Sequence, residues 1–324
     1  MNILVTGSEG VIAQQTISLL IQQGFNVTGV DNLQKYNKVN KGGYTFIKGD
    51  LTDAIFTNSL FISQDGIAVK YDLVIHFAAI IYGVLWYDKY PAEVLSNNIL
   101  MTINLLNNHN NIEKFIYVSS SMVYECSDSF PSKEEDTDSI RVMSSDYGLS
   151  KYVCERLVHS YNVQHNLRYT IWRPFNVFDI NEQIYLENGK GHVFSDLFKK
   201  IVLDKQEPLF LLGDGKQTRS FIDIRDVAHA IAFFSINNIS NNKTYNIGTD
   251  ISISIKELAT LISIYADKYK LLPTKYNLTF KETAIHSKDV KNRLPDVNKL
   301  LGDFNWLPSI PLSTSIEDFI LNYV

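Results

Sequence analysis

Short apolar runs alternate with longer amphipathic stretches through the first half of the chain. The apolar runs predict strands at Ile3–Thr6, Asn26–Asp31, Thr45–Lys48, Leu73–Phe77, Phe115–Ser119 and Tyr169–Arg173. Several of them lack polar alternation, which is typical of central parallel strands covered on both faces. The amphipathic stretches are long enough to be crossover helices, at Val11–Gln23, Glu93–Asn107 and Tyr147–His165. The pattern therefore predicts an α/β protein with a doubly wound parallel sheet.

The rhythm loosens after Pro174. Residues 193–204 and 225–236 have helical periodicity, residues 209–212 and 244–248 resemble strands, and residues 250–324 are mainly helical in pattern. We expect residues 1–174 to form the sheet domain, to which residues 220–248 return. Residues 175–219 and 249–324 are expected to form a smaller, mainly helical lobe over the carboxyl edge of the sheet, where open α/β folds bind ligands.

Composition narrows the possible partners. The 324 residues are 45% hydrophobic and 20% charged, with a net charge of −5 and no basic stripe, so nucleic acid is not an expected partner. Cys126 and Cys154 have no disulfide or metal-site spacing. No apolar run approaches the roughly 18 residues of a membrane span, and "MNILVTG" begins directly in strand-like sequence. These features predict a cytoplasmic protein without membrane or metal.

A glycine-rich turn joins the first predicted strand to the first predicted helix. In "ILVTGSEGVIAQQTI", Gly7 and Gly10 permit a tight turn and allow backbone amides to approach a pyrophosphate at the helix N-terminus. The third position of the usual Gly-x-x-Gly-x-x-Gly spacing is Ala13, which is small enough for close packing of helix on strand. The turn predicts a dinucleotide site, so residues 1–174 are interpreted as a dinucleotide-binding domain.

Further cofactor residues follow the next three predicted strands. Asp31 ends the second strand, where a carboxylate accepts bonds from both ribose hydroxyls and repels a 2′-phosphate, so NAD is favoured over NADP. Asp50 and Leu51 follow the third strand in "GDLTD". Ala78 and Ala79 follow the fourth in "HFAA", where small residues let a cofactor lie against the backbone.

These motifs and their order resemble the nucleotide-sugar epimerase/dehydratase branch of the extended short-chain dehydrogenase/reductase family. The resemblance covers nearly the whole chain and implies a Rossmann fold. "KFIYVSSSMVYE" ends the fifth strand, and Tyr147 and Lys151 follow in "SSDYGLSKYVCE". Residues four apart share one face of a helix, so both side chains can reach the same ligand. The resemblance implies that Tyr147 takes a proton from a sugar hydroxyl while hydride passes to NAD.

The same resemblance assigns the neighbouring residues. Lys151 would hold the nicotinamide ribose and favour the tyrosine phenolate, because a free phenol has a pKa near 10 and a nearby ammonium stabilises its anion. One serine would hydrogen-bond the reacting oxygen. The register counted back from Val123–Tyr124 selects Ser120 as catalytic, with Ser121 second and on the substrate side.

Departures from related patterns limit the reaction. Nucleotide-sugar 4,6-dehydratases have Thr-Asp-Glu where this chain has Ser120, Ser121 and Met122, so dehydration is disfavoured. GDP-fucose synthases have cysteine at the position of Met122, and a thioether does not shuttle protons. Nevertheless "AAIIYGVLWYDKYPAEVLSNNILMTINLL" and "YLENGKGHVFSDLFKK" resemble the GDP-mannose epimerase and GDP-fucose synthase group. In that group the histidine matching His192 is an acid, so His192 either faces substrate or only begins a helix.

The substrate side offers polar residues from distant segments. By resemblance, Asn176 in "WRPFNVFD" hydrogen-bonds a sugar diphosphate. Arg219 and Arg293 are expected near one cleft, where two planar guanidinium forks suit a diphosphate.

These features predict an NAD-dependent enzyme that acts at C4 of a nucleoside-diphosphate sugar through a 4-keto intermediate. A 4-epimerase is favoured. The alternatives are a 4-dehydrogenase, possibly of a GDP-sugar, that releases the 4-keto sugar, a 3,5-epimerase/4-reductase, and a non-enzymatic NAD-sensing regulator. In related enzymes the two helices at Glu93–Asn107 and Tyr147–His165 form a twofold interface, so a homodimer is expected.

Overall fold

A computed structural model describes residues 1–35, 39, 42–82, 89–139, 143–180, 184, 191–284 and 290–323. Its strands are β1 Asn2–Thr6, β2 Asn26–Asp31, β3 Thr45–Lys48, β4 Tyr71–His76, β5 Ile112–Val118, β6 Arg168–Pro174, β7 Val177–Phe178, β8 Leu209–Leu212, β9 Thr218–Arg219, β10 Ile222–Asp223, β11 Lys243–Ile247, β12 Ile253–Ser254, β13 Phe280–Thr283 and β14 Asn292–Arg293. Its α-helices are α1 Val11–Gln22, α2 Ala54–Ser59, α3 Pro91–Leu106, α4 Asp146–His165, α5 Val193–Phe198, α6 Ile224–Phe234, α7 Ile255–Lys268, α8 Asn298–Phe304 and α9 Leu312–Tyr323.

The central sheet has seven parallel strands in the order β11-β6-β5-β4-β1-β2-β3. The strand order reverses at β1 and β4, because the chain moves from β1 toward β3 and then crosses to β4 on the other side of β1. Ligands bind at such a switch point in doubly wound folds. The predicted fold class is confirmed, and β11 extends the sheet beyond β6.

Alternation along the strands divides the core into two layers. Ile3 and Val5 of β1 face a layer that includes Ile17 of α1 and Val227 of α6. Leu4 points to the opposite layer, which α3 and α4 cover. The central strands are covered by helices on both faces, which explains their continuous apolar sequences.

The second lobe packs around its own apolar cluster, with α5, α7, α9 and β8 as its main contributors. The helix expected over residues 193–204 is α5 followed by a π-helical turn at Lys199–Leu203. Short strand pairs join the lobe together: β13 pairs with β8, and β9 lies between β12 and β14. The lobe boundaries remain a prediction.

The expected homodimer would use the outer surface of α3 and α4. The five apolar residues that motivate it are all half-buried in the single chain: Leu95, Ile99, Ile103, Val153 and Leu157. Leu100 and Val163 on the same helices are exposed. The homodimer remains a prediction. Among the described residues, no helix combines the length and apolarity needed to cross a membrane.

Candidate active site

The turn after β1 packs so closely on the segment after β4 that Gly7 has no room for a side chain. Gly7 has φ of +68°, and a Cβ placed on it would lie 2.6 Å from the backbone nitrogen of Ala78. The Gly10 amide donates to the Gly7 carbonyl oxygen at 3.0 Å, and Gly10 is the N-cap of α1. Glycine at position 7 is therefore required twice, by conformation and by contact with the segment after β4.

Asp31 lies at the end of β2, with its carboxylate directed at the same turn. One oxygen accepts a hydrogen bond from the Glu9 amide at 3.1 Å, and the other accepts from the Leu33 amide at 2.7 Å. Each carboxylate oxygen has a second lone pair, so both can accept one more hydrogen bond. The Glu9 carboxylate accepts from Ser8 Oγ and from the Tyr44 hydroxyl.

The segments after β3 and β4 complete this end of the site. The Asp50 carboxylate accepts from the Thr52 amide and hydroxyl. Burial opposes ionisation of Asp50, but the hydrogen bonds from Thr52 and Asn32 outweigh it and lower its pKa. Leu51 is buried, and Ala78 is half-buried directly after β4.

Lys151 is buried beneath the carboxyl edge of the sheet. Its Nζ donates to the Val118 carbonyl oxygen at the end of β5, at 2.8 Å, and the side chain is 3% exposed. Burial lowers the pKa of Lys151 to about 8, while Cys154 and Glu155 act in the opposite direction. An ammonium has three donors, and within the described residues Lys151 uses one of them. Two donors remain for a ligand.

His76, at the end of β4, is held neutral beside that lysine. Its Nδ1 is 2.7 Å from Thr6 Oγ1, and its Nε2 is 3.2 Å from Thr102 Oγ1. Burial, and secondarily the positive charge of Lys151, lower the pKa of His76 to about 3. The neutral ring therefore joins β1, β4 and α3 beneath the site. The sequence analysis did not identify this contact, although the polar His76 at the end of a buried strand could have indicated it.

Three serines follow β5 and differ in their surroundings. Ser119 Oγ is buried and has no hydrogen-bond partner among the described residues. Ser120 Oγ accepts from the Met122 amide at 3.2 Å and so begins the 3₁₀ turn Ser121–Tyr124. Ser121 is buried and lines a polar recess that extends to Asn292 and Arg293. The catalytic assignment of Ser120 remains a prediction, since a hydroxyl that accepts can still donate to a substrate oxygen.

Tyr147 lies in the first turn of α4, one helical turn before Lys151. Its ring is 7% exposed and packs with Met122 and Val94. The Lys151 Nζ is 5.9 Å from the centre of that ring. The structure therefore brings together Tyr147, Lys151 and the serine turn. Met122 is packed into this cluster, with 3% of it exposed.

A carboxylate that the sequence analysis did not consider also lies here. Glu125 lines the recess with Ser121 and Arg293, although the dehydratase acid positions themselves hold Ser121 and Met122. Both Glu125 oxygens accept hydrogen bonds from Ser145, one from its amide and one from its hydroxyl, each at 2.8 Å. The sequence carries a signal for this contact, because Ser145 precedes the helix as an N-cap residue.

Comparison with known proteins places this geometry in a family. Residues 3–248 match the model of the NAD dependent epimerase/dehydratase family. The chain belongs to this family. A putative UDP-glucose 4-epimerase of Methanocaldococcus jannaschii is 31% identical over 323 residues, which cover 97% of this chain and 96% of that protein. A dTDP-D-glucose 4,6-dehydratase of Bos taurus is 30% identical, covering 98% of this chain and 87% of the relative.

Solved structures agree with this assignment. The UDP-N-acetylglucosamine 4-epimerase of Methanobrevibacter ruminantium, solved with UDP-N-acetylmuramic acid, superposes with a TM-score of 0.82 at 26% identity. The alignment covers all of this chain and 99% of that one. The predictions of a Rossmann-type enzyme and of its family are confirmed. Similarity of two loops to the GDP-mannose epimerase and GDP-fucose synthase group remains a prediction, and parts of those loops, residues 83–88 and 185–190, lie outside the described residues.

NAD is the cofactor of this family, and the residues present fit it. Gly7 and Gly10 leave the backbone accessible at the N-terminus of α1, where an anion is favoured. Asp31 retains acceptor capacity toward ribose hydroxyls, and Lys151 retains donors. The buried Ser119 hydroxyl offers an unused polar group at the same edge.

The predicted substrate residues lie on the lobe side. Asn176 Nδ2 donates to the Ser220 carbonyl oxygen at 3.1 Å. Arg219 of β9 and Arg293 of β14 are register partners in a parallel pair, which places them side by side; their role at a diphosphate remains a prediction. His192 is exposed at the N-cap of α5, where its carbonyl oxygen accepts from Ser195 Oγ at 3.0 Å. His192 therefore begins a helix, and a catalytic role for it remains a prediction.

Proposed function

We propose that this family member is a nucleoside-diphosphate-sugar 4-epimerase that works through a 4-keto intermediate. The observation that carries the proposal is the placement of Tyr147 and Lys151 on consecutive turns of α4, beside the serine turn at the carboxyl edge of the sheet. Relatives named as UDP-sugar 4-epimerases support the same reaction class.

Each residue has a defined task in this reaction. Tyr147 removes the proton of the sugar 4-hydroxyl, and Ser120 donates a hydrogen bond to that oxygen. Lys151 is mostly protonated at neutral pH, because its pKa of about 8 lies above 7, and its ammonium stabilises the phenolate. NAD, when bound, supplies the hydride acceptor at C4. Once the sugar has presented its other face, the same hydride would return to C4 and Tyr147 would give the proton back to the oxygen, which completes the inversion.

The arginine pair is proposed to hold the diphosphate. Arg219 is buried, and its Nη1 donates to the Thr218 carbonyl oxygen at 2.9 Å, which orients the guanidinium. Arg293 is half-buried next to it on β14 and lines the recess that begins at Ser121. Because Arg293 and Ser121 line the same recess, a diphosphate held at Arg293 would direct its sugar toward the serine turn. Asn176 is proposed as an additional contact.

Elimination of water is disfavoured at this site even though one relative is a dehydratase. At the positions of Ser121 and Met122, nucleotide-sugar 4,6-dehydratases share two acidic residues. Glu125 is the nearby carboxylate, but both of its oxygens are engaged by Ser145.

The test is turnover of nucleotide sugars by the purified protein, with UDP-glucose and UDP-N-acetylglucosamine first and their GDP counterparts second. Inversion at C4, seen by NMR in heavy water without enzyme-dependent deuterium at C3 or C5, is the expected result. Accumulation of a 4-keto sugar with reduced cofactor would instead identify a 4-dehydrogenase. Rapid deuterium at C5 would identify a 3,5-epimerase and give His192 a catalytic role. Absence of turnover with NAD bound would favour the regulator.

A further inference from the structure

Two backbone segments must be held in register for this chemistry: the 3₁₀ turn that bears the serines and the first turn of α4 that bears Tyr147. Glu125 and Ser145 are 20 positions apart in sequence, so sequence proximity does not fix their relative position. A contact across this gap must do so. Resting on the proposed function, we propose that Glu125 is the positioning residue that sets Tyr147 against the serine turn.

Glu125 is itself fixed at the end of the 3₁₀ turn. The turn begins where Ser120 Oγ accepts from the Met122 amide, and it ends where the Glu125 amide donates to the Met122 carbonyl oxygen at 3.1 Å. The Glu125 side chain is half-buried, and its backbone cannot shift without disturbing Ser120 and Ser121. The position of the Glu125 carboxylate is therefore fixed relative to Ser120 and Ser121.

The other end of the contact is the N-cap of α4. Ser145 donates its amide to one Glu125 oxygen and its hydroxyl to the other. Because its hydrogen is committed to Glu125, Ser145 Oγ presents a lone pair to the Gly148 amide, from which it accepts at 3.0 Å. Glu125 thus fixes both the position of the cap and the direction of its hydroxyl, two residues before Tyr147.

Gly148 shows how closely the two turns fit. A Cβ on Gly148 would lie 2.7 Å from the Glu125 Oε1 and 2.9 Å from the Met122 carbonyl oxygen. Any side chain at this position, directly after Tyr147, would push the helix away from the serine turn. The serine turn and the first turn of α4 therefore lie in close contact for two reasons. Glu125 binds Ser145 through both carboxylate oxygens, and Gly148 has no side chain to separate the two turns.

Substitution of Glu125 tests the idea, with Glu135→Gln as the matched control because Glu135 is exposed in the next 3₁₀ turn. Glutamine keeps an acceptor for the Ser145 amide but puts an amide donor where a carboxylate oxygen accepted from the Ser145 hydroxyl. The charged hydrogen bond is lost, and residue 125 no longer fixes the direction of the Ser145 hydroxyl. Glu125→Gln should lower kcat by roughly tenfold or more, since small misplacements of reacting groups are costly, while KM and NAD affinity stay near wild type. In a Ser145→Ala background the same substitution should lower kcat by less than about threefold, because coupled residues are not additive.

A second readout does not depend on turnover. With 3-fluorotyrosine placed at position 147, the fluorine resonance of the NAD-bound protein should shift or broaden in Glu125→Gln, Ser145→Ala and Gly148→Ala, and stay at its original position in Glu135→Gln. Unchanged kcat and resonance in Glu125→Gln would overturn the proposal. An undiminished loss of kcat in the Ser145→Ala background would also overturn it, because Glu125 would then act on substrate directly. If Glu125→Gln does not fold, unshifted resonances in Ser145→Ala and Gly148→Ala overturn it. If the wild type turns over no nucleotide sugar, the proposed function fails and the resonances alone decide the role of Glu125.

Discussion

The proposed cofactor end and the proposed sugar end of the site are built in different ways. The cofactor end uses residues that directly follow strands of one sheet, and its contacts are made largely by backbone: Gly7 packs on Ala78, and Asp31 accepts from the Glu9 and Leu33 amides. The sugar end combines segments that are far apart in sequence. Ser132 donates its amide to the Leu294 carbonyl oxygen at 2.9 Å, and Arg219 pairs in register with Arg293.

Because the two ends use different residues, mutations at each end should affect a different ligand. Changes at the cofactor end should alter cofactor binding without altering sugar recognition, and changes at the sugar end should do the reverse. Tyr147 and Lys151 lie where the two ends meet, beside both β5 and the serine turn. Loss of chemistry without loss of either ligand is expected there.

The largest effect is expected at the meeting point. Tyr147→Phe removes the phenol that exchanges the proton and should lower turnover by roughly 10²–10⁴, the usual range for a lost acid or base. NAD and UDP-sugar affinities, measured by calorimetry, should stay unchanged. Tyr152→Phe, in the next turn of α4, is the control and should retain activity. Turnover near wild type in Tyr147→Phe would exclude the phenol from the mechanism.

A smaller effect is expected at the sugar end. Arg293→Gln removes a guanidinium from the proposed diphosphate site and should weaken UDP-sugar binding by roughly 10–100-fold, as for the loss of a hydrogen bond to a charged group. NAD affinity should not change. Arg156→Gln, an exposed arginine of α4, serves as the control. Weaker NAD binding in Arg293→Gln with unaltered UDP affinity would contradict the division into two ends.

At the cofactor end, the carboxylate of Asp31 should decide between NAD and NADP. Because it accepts from ribose hydroxyls and repels a 2′-phosphate, we expect the wild type to bind NAD more than about tenfold tighter than NADP. Asp31→Ala should narrow that ratio and leave UDP affinity intact, whereas Asp65→Ala in an exposed loop should change neither. Equal affinities of the wild type for both cofactors would refute the assignment.

The last expected effect concerns the stability of the fold beneath the site, not turnover or ligand binding. The pKa of His76 is about 3 in the folded chain and near 6.5 when unfolded. Between these values only the unfolded chain binds the proton, so the free energy of unfolding should fall by about 1.4 kcal/mol per pH unit as pH drops from 6.5 toward 3. His76→Asn should reduce this slope in denaturant titrations. An unaltered slope in His76→Asn would show that the imidazole titrates freely.

The same contrast explains what the sequence predicts and what it does not. The parallel strands, the glycine turn and the order of the motifs follow from local patterns, so their positions agree with the structure within a few residues. Other contacts depend on which segments meet after folding. Examples are the hydrogen bonds between Glu125 and Ser145, and those of His76 to Thr6 and Thr102. No local periodicity encodes such contacts. The resemblance alone led to the expectation that Arg219 and Arg293 lie near one ligand, and that role remains a prediction.

The central claim is that C4 of a nucleotide sugar is oxidised and reduced again within one site where the two ends meet. The most direct measurement is incubation of the NAD-bound protein with the nucleotide sugar that it turns over, carrying deuterium at C4, followed by mass spectrometry and NMR of the recovered sugar. The account predicts the C4 epimer of that sugar, with the deuterium retained at C4 in ordinary water. Loss of that deuterium to solvent, or its accumulation in released reduced cofactor without an inverted sugar, would contradict it.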